Sequence, residues 1–116
     1  MKILAVEDDV VVLMDIADML AELGHECQQA TSAEQALEIF GDGHGIDLVM
    51  TDLTMPGMSG LDLVRAIRQR APQTRIIVCS GSDEIDGADL AGYEHLEKPF
   101  AAGQLAKVLE QATTSA

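Results

Sequence analysis

The chain has 116 residues, enough for one domain built around a single buried core. Its 20 Asp and Glu against 7 Lys and Arg give a formal net charge of −13, which repels a phosphate backbone and argues against direct nucleic-acid binding. A hydrophobic content of 47% is too high for a disordered acidic tail, and no apolar run is long enough to span a membrane.

Residues 2–6 form a short apolar run followed by Glu7-Asp8-Asp9, which reads as a strand buried on both faces and ending in acids. No signal peptide is visible ahead of it. From 10 to 23 the period becomes helical, with Leu13, Ile16, Leu20 and Leu23 in one stripe and Asp15, Asp18 and Glu22 on another face. Gly24 occupies the place that a helix-terminating glycine prefers. Residues 25–30 read as a second strand, polar enough for a sheet edge. Ser32-Ala33-Glu34-Gln35 is a capping-box pattern, with Ser32 as N-cap and Gln35 reaching back. The helix it opens runs to Phe40 and buries Ala36, Leu37 and Phe40, and residues 41–45 are a loop by composition.

The third strand, 46–51, leads directly to Asp52. Pro56, Gly57 and Gly60 then break the chain into a loop, and Ser59 or Gly60 opens a helix running to Arg70 with Leu61, Val64 and Ile67 inward. Its arginines gather towards the C-terminal end, where the helix dipole favours cations, and Pro72 forces the exit. The fourth strand, 75–79, ends on Ser80. Residues 82–92 carry Gly87, Gly92 and four acids, so at best they hold a short or mobile fourth helix, for which weak amide protection is expected. A short edge strand at 93–96 precedes Lys98-Pro99-Phe100, and a last helix spans 101–111 with Leu105, Val108 and Leu109 inward. The whole reads as one domain over 1–112 with a tail at 113–116. Cys27 and Cys79 lie far apart in apolar, strand-like context and read as buried reduced thiols, with the cytoplasm as the natural compartment. With these and three scattered His, no zinc-type spacing arises.

Strands alternating with helices imply a parallel sheet covered on both faces. All strands then end at one edge, which gathers Glu7, Asp8, Asp9, Asp52, Ser80 and Lys98. Carboxylates so close repel, and one of them holds its proton more tightly unless a cation binds. A hard, oxygen-liganded divalent cation relieves this, and Mg²⁺ suits. A carboxylate beside a metal and a lysine can attack a phosphoryl group and become an aspartyl phosphate, with Ser80 offering a hydroxyl to it. Taken singly, each part has an ordinary alternative. Asp52 can be a turn acid, the first acids an N-cap, Ser80 a turn residue and Lys98 a solvated cation.

Together, Glu7-Asp8-Asp9, Asp52 with Met55-Pro56-Gly57-Met58-Ser59-Gly60, Ser80-Gly81 and Lys98-Pro99-Phe100 resemble the signature set of receiver domains of two-component response regulators. The resemblance runs from Lys2 to about Gln111. It implies a (βα)5 flavodoxin-like three-layer α/β sandwich with strand order 2-1-3-4-5. It implies Asp52 as phosphoacceptor from a histidine kinase or histidine phosphotransfer protein, Glu7, Asp8, Asp52 and the Thr54 backbone carbonyl around Mg²⁺, and Lys98 on the phosphoryl oxygens with a cis Lys98–Pro99 bond. Ser80 would be the switch hydroxyl; Asp9 has no certain role. The family usually places Tyr or Phe three residues before the lysine; here it is His95, either a plain edge residue or a switch partner that would make the output pH-sensitive. The span from Ser80 to Lys98 is about one helical turn short for the family. Thr54 and Ser82, at positions that tune phosphoryl lifetime in the family, are both small.

Val10, Val11 and Met14 beside the site, with Pro99 and Phe100 across it, form an apolar rim suited to a helical partner carrying a phosphohistidine. The expected function is a phosphoacceptor switch, self-catalysed and not otherwise an enzyme. It would be a stand-alone regulator or the receiver of a hybrid kinase or larger regulator, with Met1 directly before the first strand favouring the former or an N-terminal placement. The alternatives are a phosphorylation-independent interaction module, which the retained Asp52, Lys98 and Ser80 oppose, and an aspartate-nucleophile phosphatase, for which Asp52-Leu53-Thr54 lacks the second acid. No glycine-rich phosphate loop supports nucleotide binding.

Overall fold

A computed structural model describes residues 1–41, 45–53, 55–81 and 93–114. The expectations for Thr54, Ser82 and the fourth helix at 82–92 lie outside the described residues. The elements are β1 (Lys2–Val6), α1 (Val10–Glu22), β2 (Glu26–Ala30), α2 (Ala33–Phe40), β3 (Leu48–Asp52), α3 (Gly60–Arg70), β4 (Arg75–Ser80), β5 (Glu94–Glu97) and a C-terminal helix, here α4 (Ala102–Thr114). The five strands pair in parallel in the order β2-β1-β3-β4-β5. The last helix continues to Thr114, beyond the Gln111 that the apolar spacing predicts, because Ala112 adds another buried position to its inner stripe.

Parallel strands covered on both sides need near-continuous apolar runs, and β1, β3 and β4 meet that demand through residues 3–6, 48–50 and 76–79. Alternation then splits the core in two. Leu4, Val6, Val49, Ile76 and Val78 face α2 and α3, where Ala33, Ala36, Phe40, Leu63, Val64 and Ile67 pack on them. Ile3, Ala5, Leu48, Met50, Ile77 and Cys79 face α1 and α4, meeting Leu13, Ile16, Leu20, Leu105 and Leu109. Leu37 and Leu61, expected to point fully inward, only flank the first cluster, and Leu63 takes the buried place instead. No helix of the described residues is long and apolar enough to cross a membrane.

Helix ends follow local chemistry. Leu23 caps α1, Gly24 has φ +87°, and the Gly24 and His25 amides donate to the Ala21 and Leu20 carbonyls, a Schellman closure. At α2, the Ser32 hydroxyl accepts from the Gln35 amide at 3.0 Å. The Gln35 side chain does reach back, but to the Thr31 amide at 2.7 Å and hydroxyl at 3.1 Å, one residue ahead of the expected box. Arg68 and Arg70 at the end of α3 donate to the Pro72 and Gly41 carbonyls, and Arg68 also lies 5.3 Å from the Tyr93 ring centre.

Candidate functional site

Because the sheet is parallel, the C-terminal ends of its strands share one edge. Glu7 follows β1, Asp52 closes β3, Ser80 closes β4 and Lys98 follows β5. Backbone bonds lock these ends in register: Glu7 N–H donates to the Ala30 carbonyl at 3.1 Å, Leu53 N–H to Cys79 at 3.2 Å and Lys98 N–H to Ser80 at 2.8 Å. The Lys98–Pro99 bond is cis, as the resemblance implies.

The side chains converge. Lys98 Nζ lies 2.8 Å from Glu7 Oε1 and 3.1 Å from Asp52 Oδ2, so one ammonium bridges two acids. Glu7, Asp8 and Asp52 each bring a carboxylate oxygen within 4.8 Å of the others, a group that could hold a metal ion. Their exposure is graded: Glu7 is buried, Asp52 half-buried and Asp8 open to solvent. Burial is the main reason the Glu7 carboxyl keeps its proton up to about 7 instead of 4.5; the nearby Asp52 adds to it and Lys98 opposes it. Burial also disfavours the charge on Lys98, but its hydrogen bonds to Glu7 and Asp52 outweigh that and hold the ammonium above its ordinary pKa. Below the site, burial pushes the Cys79 thiol up, so it stays a neutral core residue.

One buried atom lacks a partner: Glu7 Oε2 makes no hydrogen bond among the described residues. A buried acid oxygen left in this way carries a desolvation cost that a bound cation would remove. All three donors are carboxylate oxygens, the set that suits a hard divalent cation rather than zinc or copper. The donor chemistry and the orphaned oxygen therefore fit a metal here.

Of the residues singled out in the sequence, Glu7, Asp8, Asp52 and Lys98 are brought together. Ser80 is buried at the same edge, one backbone hydrogen bond from Lys98. Asp9 is not part of the cluster of possible metal ligands; its carboxylate accepts from the Val11 amide at 3.0 Å and the Val12 amide at 3.4 Å and caps α1. His95 is exposed on the edge strand β5. Val10, Val11 and Met14 are 57%, 68% and 56% exposed, so none of the three faces the core, whereas Phe100 is half-buried against it and Pro99 is exposed. Two residues outside that set meet the Asp52 carbonyl: the Thr51 hydroxyl donates to it, and Gly60 lies so close that a Cβ there would overlap it. Gly60 had a signal in its loop motif, and Thr51 had none.

A five-stranded parallel sheet in this order, with an acid triad and a lysine at its C-terminal edge, is the arrangement of a phosphoacceptor domain. The chain belongs to the response regulator receiver domain family, whose model matches residues 3–110. It is 36% identical to the DNA-binding transcriptional regulator NtrC of Azospirillum brasilense over 97% of this chain but 24% of that protein. With the chemotaxis protein CheY of Bacillus subtilis it shares 33% identity over 95% of both chains. Among solved structures, a response regulator receiver domain protein from Clostridium thermocellum superposes with a TM-score of 0.88 at 35% identity, covering 96% of this chain and 92% of that one. The chain spans about a quarter of NtrC, and 46% of the response regulator PhoP of Pseudomonas aeruginosa, to which it is 34% identical over 86% of its own length.

Proposed function

We propose that Asp52 accepts a phosphoryl group from a phosphohistidine of a histidine kinase or histidine phosphotransfer protein, in a Mg²⁺-dependent reaction that this chain's own residues assist. The observation that carries this reading is the Lys98 ammonium spanning Glu7 and Asp52 beside an unpartnered Glu7 oxygen. An Asp52 carboxylate oxygen attacks phosphorus, the P–N bond to the imidazole breaks with its electron pair staying on nitrogen, and an acyl phosphate remains on Asp52. Lys98 neutralises charge on the transferring oxygens. Glu7, Asp8 and Asp52 would hold the metal, with the Thr54 carbonyl added from the family likeness. Mg²⁺, when bound, supplies charge neutralisation between the carboxylates and the incoming phosphoryl group.

Ser80 then serves as the switch hydroxyl, and His95, exposed on β5, is its candidate partner in the switched state. Apart from this self-catalysed transfer and autodephosphorylation, the chain turns over no substrate. The setting is a cytoplasmic phosphorelay, with the chain acting alone or within a hybrid kinase or larger regulator. Incubation with a small phosphodonor and Mg²⁺, read by intact mass, tests the central claim. One phosphoryl adduct is expected on the wild type and none on Asp52→Ala; an unmodified wild type, or the same adduct on Asp52→Ala, sinks it.

The partner docks on the exposed Val11 and Met14, with Pro99 and Phe100 across the acids. Replacing Val11 and Met14 together by Glu should weaken transfer from a phosphohistidine protein at least about tenfold, because charge is desolvated at the contact. Labelling by a small phosphodonor should stay within about twofold, since such a donor uses none of that contact. Equal losses with both donors would remove these residues from the docking surface.

A further inference from the structure

Thr51 immediately precedes the phosphoacceptor and is fully buried. Strand alternation places it on the sheet face opposite the one that carries Met50, towards α2 and α3. Its hydroxyl donates to the carbonyl oxygen of Asp52 at 3.0 Å. On the other side of the same peptide unit, the Leu53 N–H donates to the Cys79 carbonyl at 3.2 Å. The chain leaves the sheet, returns, and lays Gly60 on this unit. The Gly60 N–H donates to the Leu53 carbonyl at 2.8 Å, and a Cβ on Gly60 would sit 1.7 Å from the Asp52 carbonyl oxygen. The peptide between Asp52 and Leu53 is therefore gripped at its oxygen, at its nitrogen and across its face.

We propose that Thr51 is a positioning residue for the phosphoacceptor: its hydroxyl fixes the Asp52 carbonyl beneath Gly60 and thereby sets the direction of the Asp52 carboxylate towards Glu7, Asp8 and Lys98. This rests on the reading of Asp52 as phosphoacceptor. The physical link is short. The carboxylate hangs from the Cα whose carbonyl Thr51 holds, so any slack in that carbonyl lets the Cα shift and carries the reacting oxygens with it. In-line attack is sensitive to such displacements, with 1 Å worth about a hundredfold in rate. A buried threonine that merely satisfied its own hydroxyl on the nearest carbonyl would affect stability alone.

Thr51→Val keeps the branched shape and removes the donor; Thr51→Ser keeps the donor and removes a methyl. With a small phosphodonor at saturating Mg²⁺, Thr51→Val should lower the maximal phosphorylation rate about tenfold with the donor half-saturation unchanged, while Thr51→Ser stays within about twofold of wild type. In the metal-free proteins, exchange of the Leu53 and Gly60 amides should quicken in Thr51→Val relative to the Val49 amide, and return in Thr51→Ser. A wild-type rate in Thr51→Val, an equal loss in both variants, or exchange rising uniformly along β3 overturns the proposal. A wild type that takes no phosphoryl group overturns the phosphoacceptor reading instead, and the exchange comparison still decides whether Thr51 holds the peptide.

Discussion

Gly60→Ala is expected to be among the most damaging substitutions in the chain, although it adds a single carbon. The new Cβ would lie 1.7 Å from the Asp52 oxygen, 2.7 Å from its carbonyl carbon and 2.9 Å from the Leu53 Cα. All three are backbone atoms, so no side-chain rotation relieves the overlap. Either α3 withdraws from the sheet or the end of β3 moves. The first opens the packing of Leu63 and Val64, both fully buried; the second displaces Asp52 from Lys98. A loss of about 3 kcal/mol, roughly 10–20 °C in Tm, follows from overpacking against backbone atoms. Phosphorylation of whatever remains folded should fall further than that of Thr51→Val. A thermal melt within about 1 kcal/mol of wild type would show that the loop is more pliant than its contacts imply. Gly57 is a milder case: its φ of +79° disfavours a side chain, but the nearest atom is the mobile end of Glu34 at 3.0 Å.

Stability of the metal-free protein is expected to fall as pH rises from about 4.5 to about 7, the reverse of the usual behaviour of a paired carboxylate. The sign comes from Glu7. Its folded-state pKa is raised, from 4.5 to about 7, so the native state binds a proton that the unfolded chain has released. The contribution is complete below the unfolded value and is lost as pH passes through the folded one, at most about 3 kcal/mol by proton linkage. Glu7→Gln, which carries no titrating proton at this position, should flatten the profile. Saturating Mg²⁺ should also flatten it, or reverse its slope, by favouring the ionised carboxylates. Denaturant unfolding at several pH values in a chelator, then with Mg²⁺, checks this. Rising stability over that interval in the chelator, or an unchanged slope in Glu7→Gln, would remove Glu7 as the source.

The sequence went furthest where one residue property decides the outcome. An apolar run marked β1 as a strand buried on both faces, the alternation of strands with helices implied a parallel sheet, and parallel pairing sent Glu7, Asp52, Ser80 and Lys98 to one edge without any contact being known. Crowding among acids at that edge called for one of them to hold its proton tightly. Which one was not legible, because only burial singles out Glu7 over Asp8 and Asp9, and depth beneath a strand end is a tertiary quantity. Asp9 was ambiguous for a related reason: adjacent acids of equal chemistry divide between ligand and cap according to where the helix axis begins. The close approach of Gly60 to the Asp52 carbonyl depends on how α3 folds back across the end of β3, a distance that the loop motif does not itself measure.

The lysine bridge bears on how this site meets any divalent cation. With Lys98 already seated on Glu7 Oε1 and Asp52 Oδ2, an arriving ion would share these carboxylates with a resident charge instead of filling a void. Affinity then measures the difference between two sets of contacts, not the strength of the new set alone. The ammonium would stay beside Asp52, available at the moment a phosphoryl group arrives.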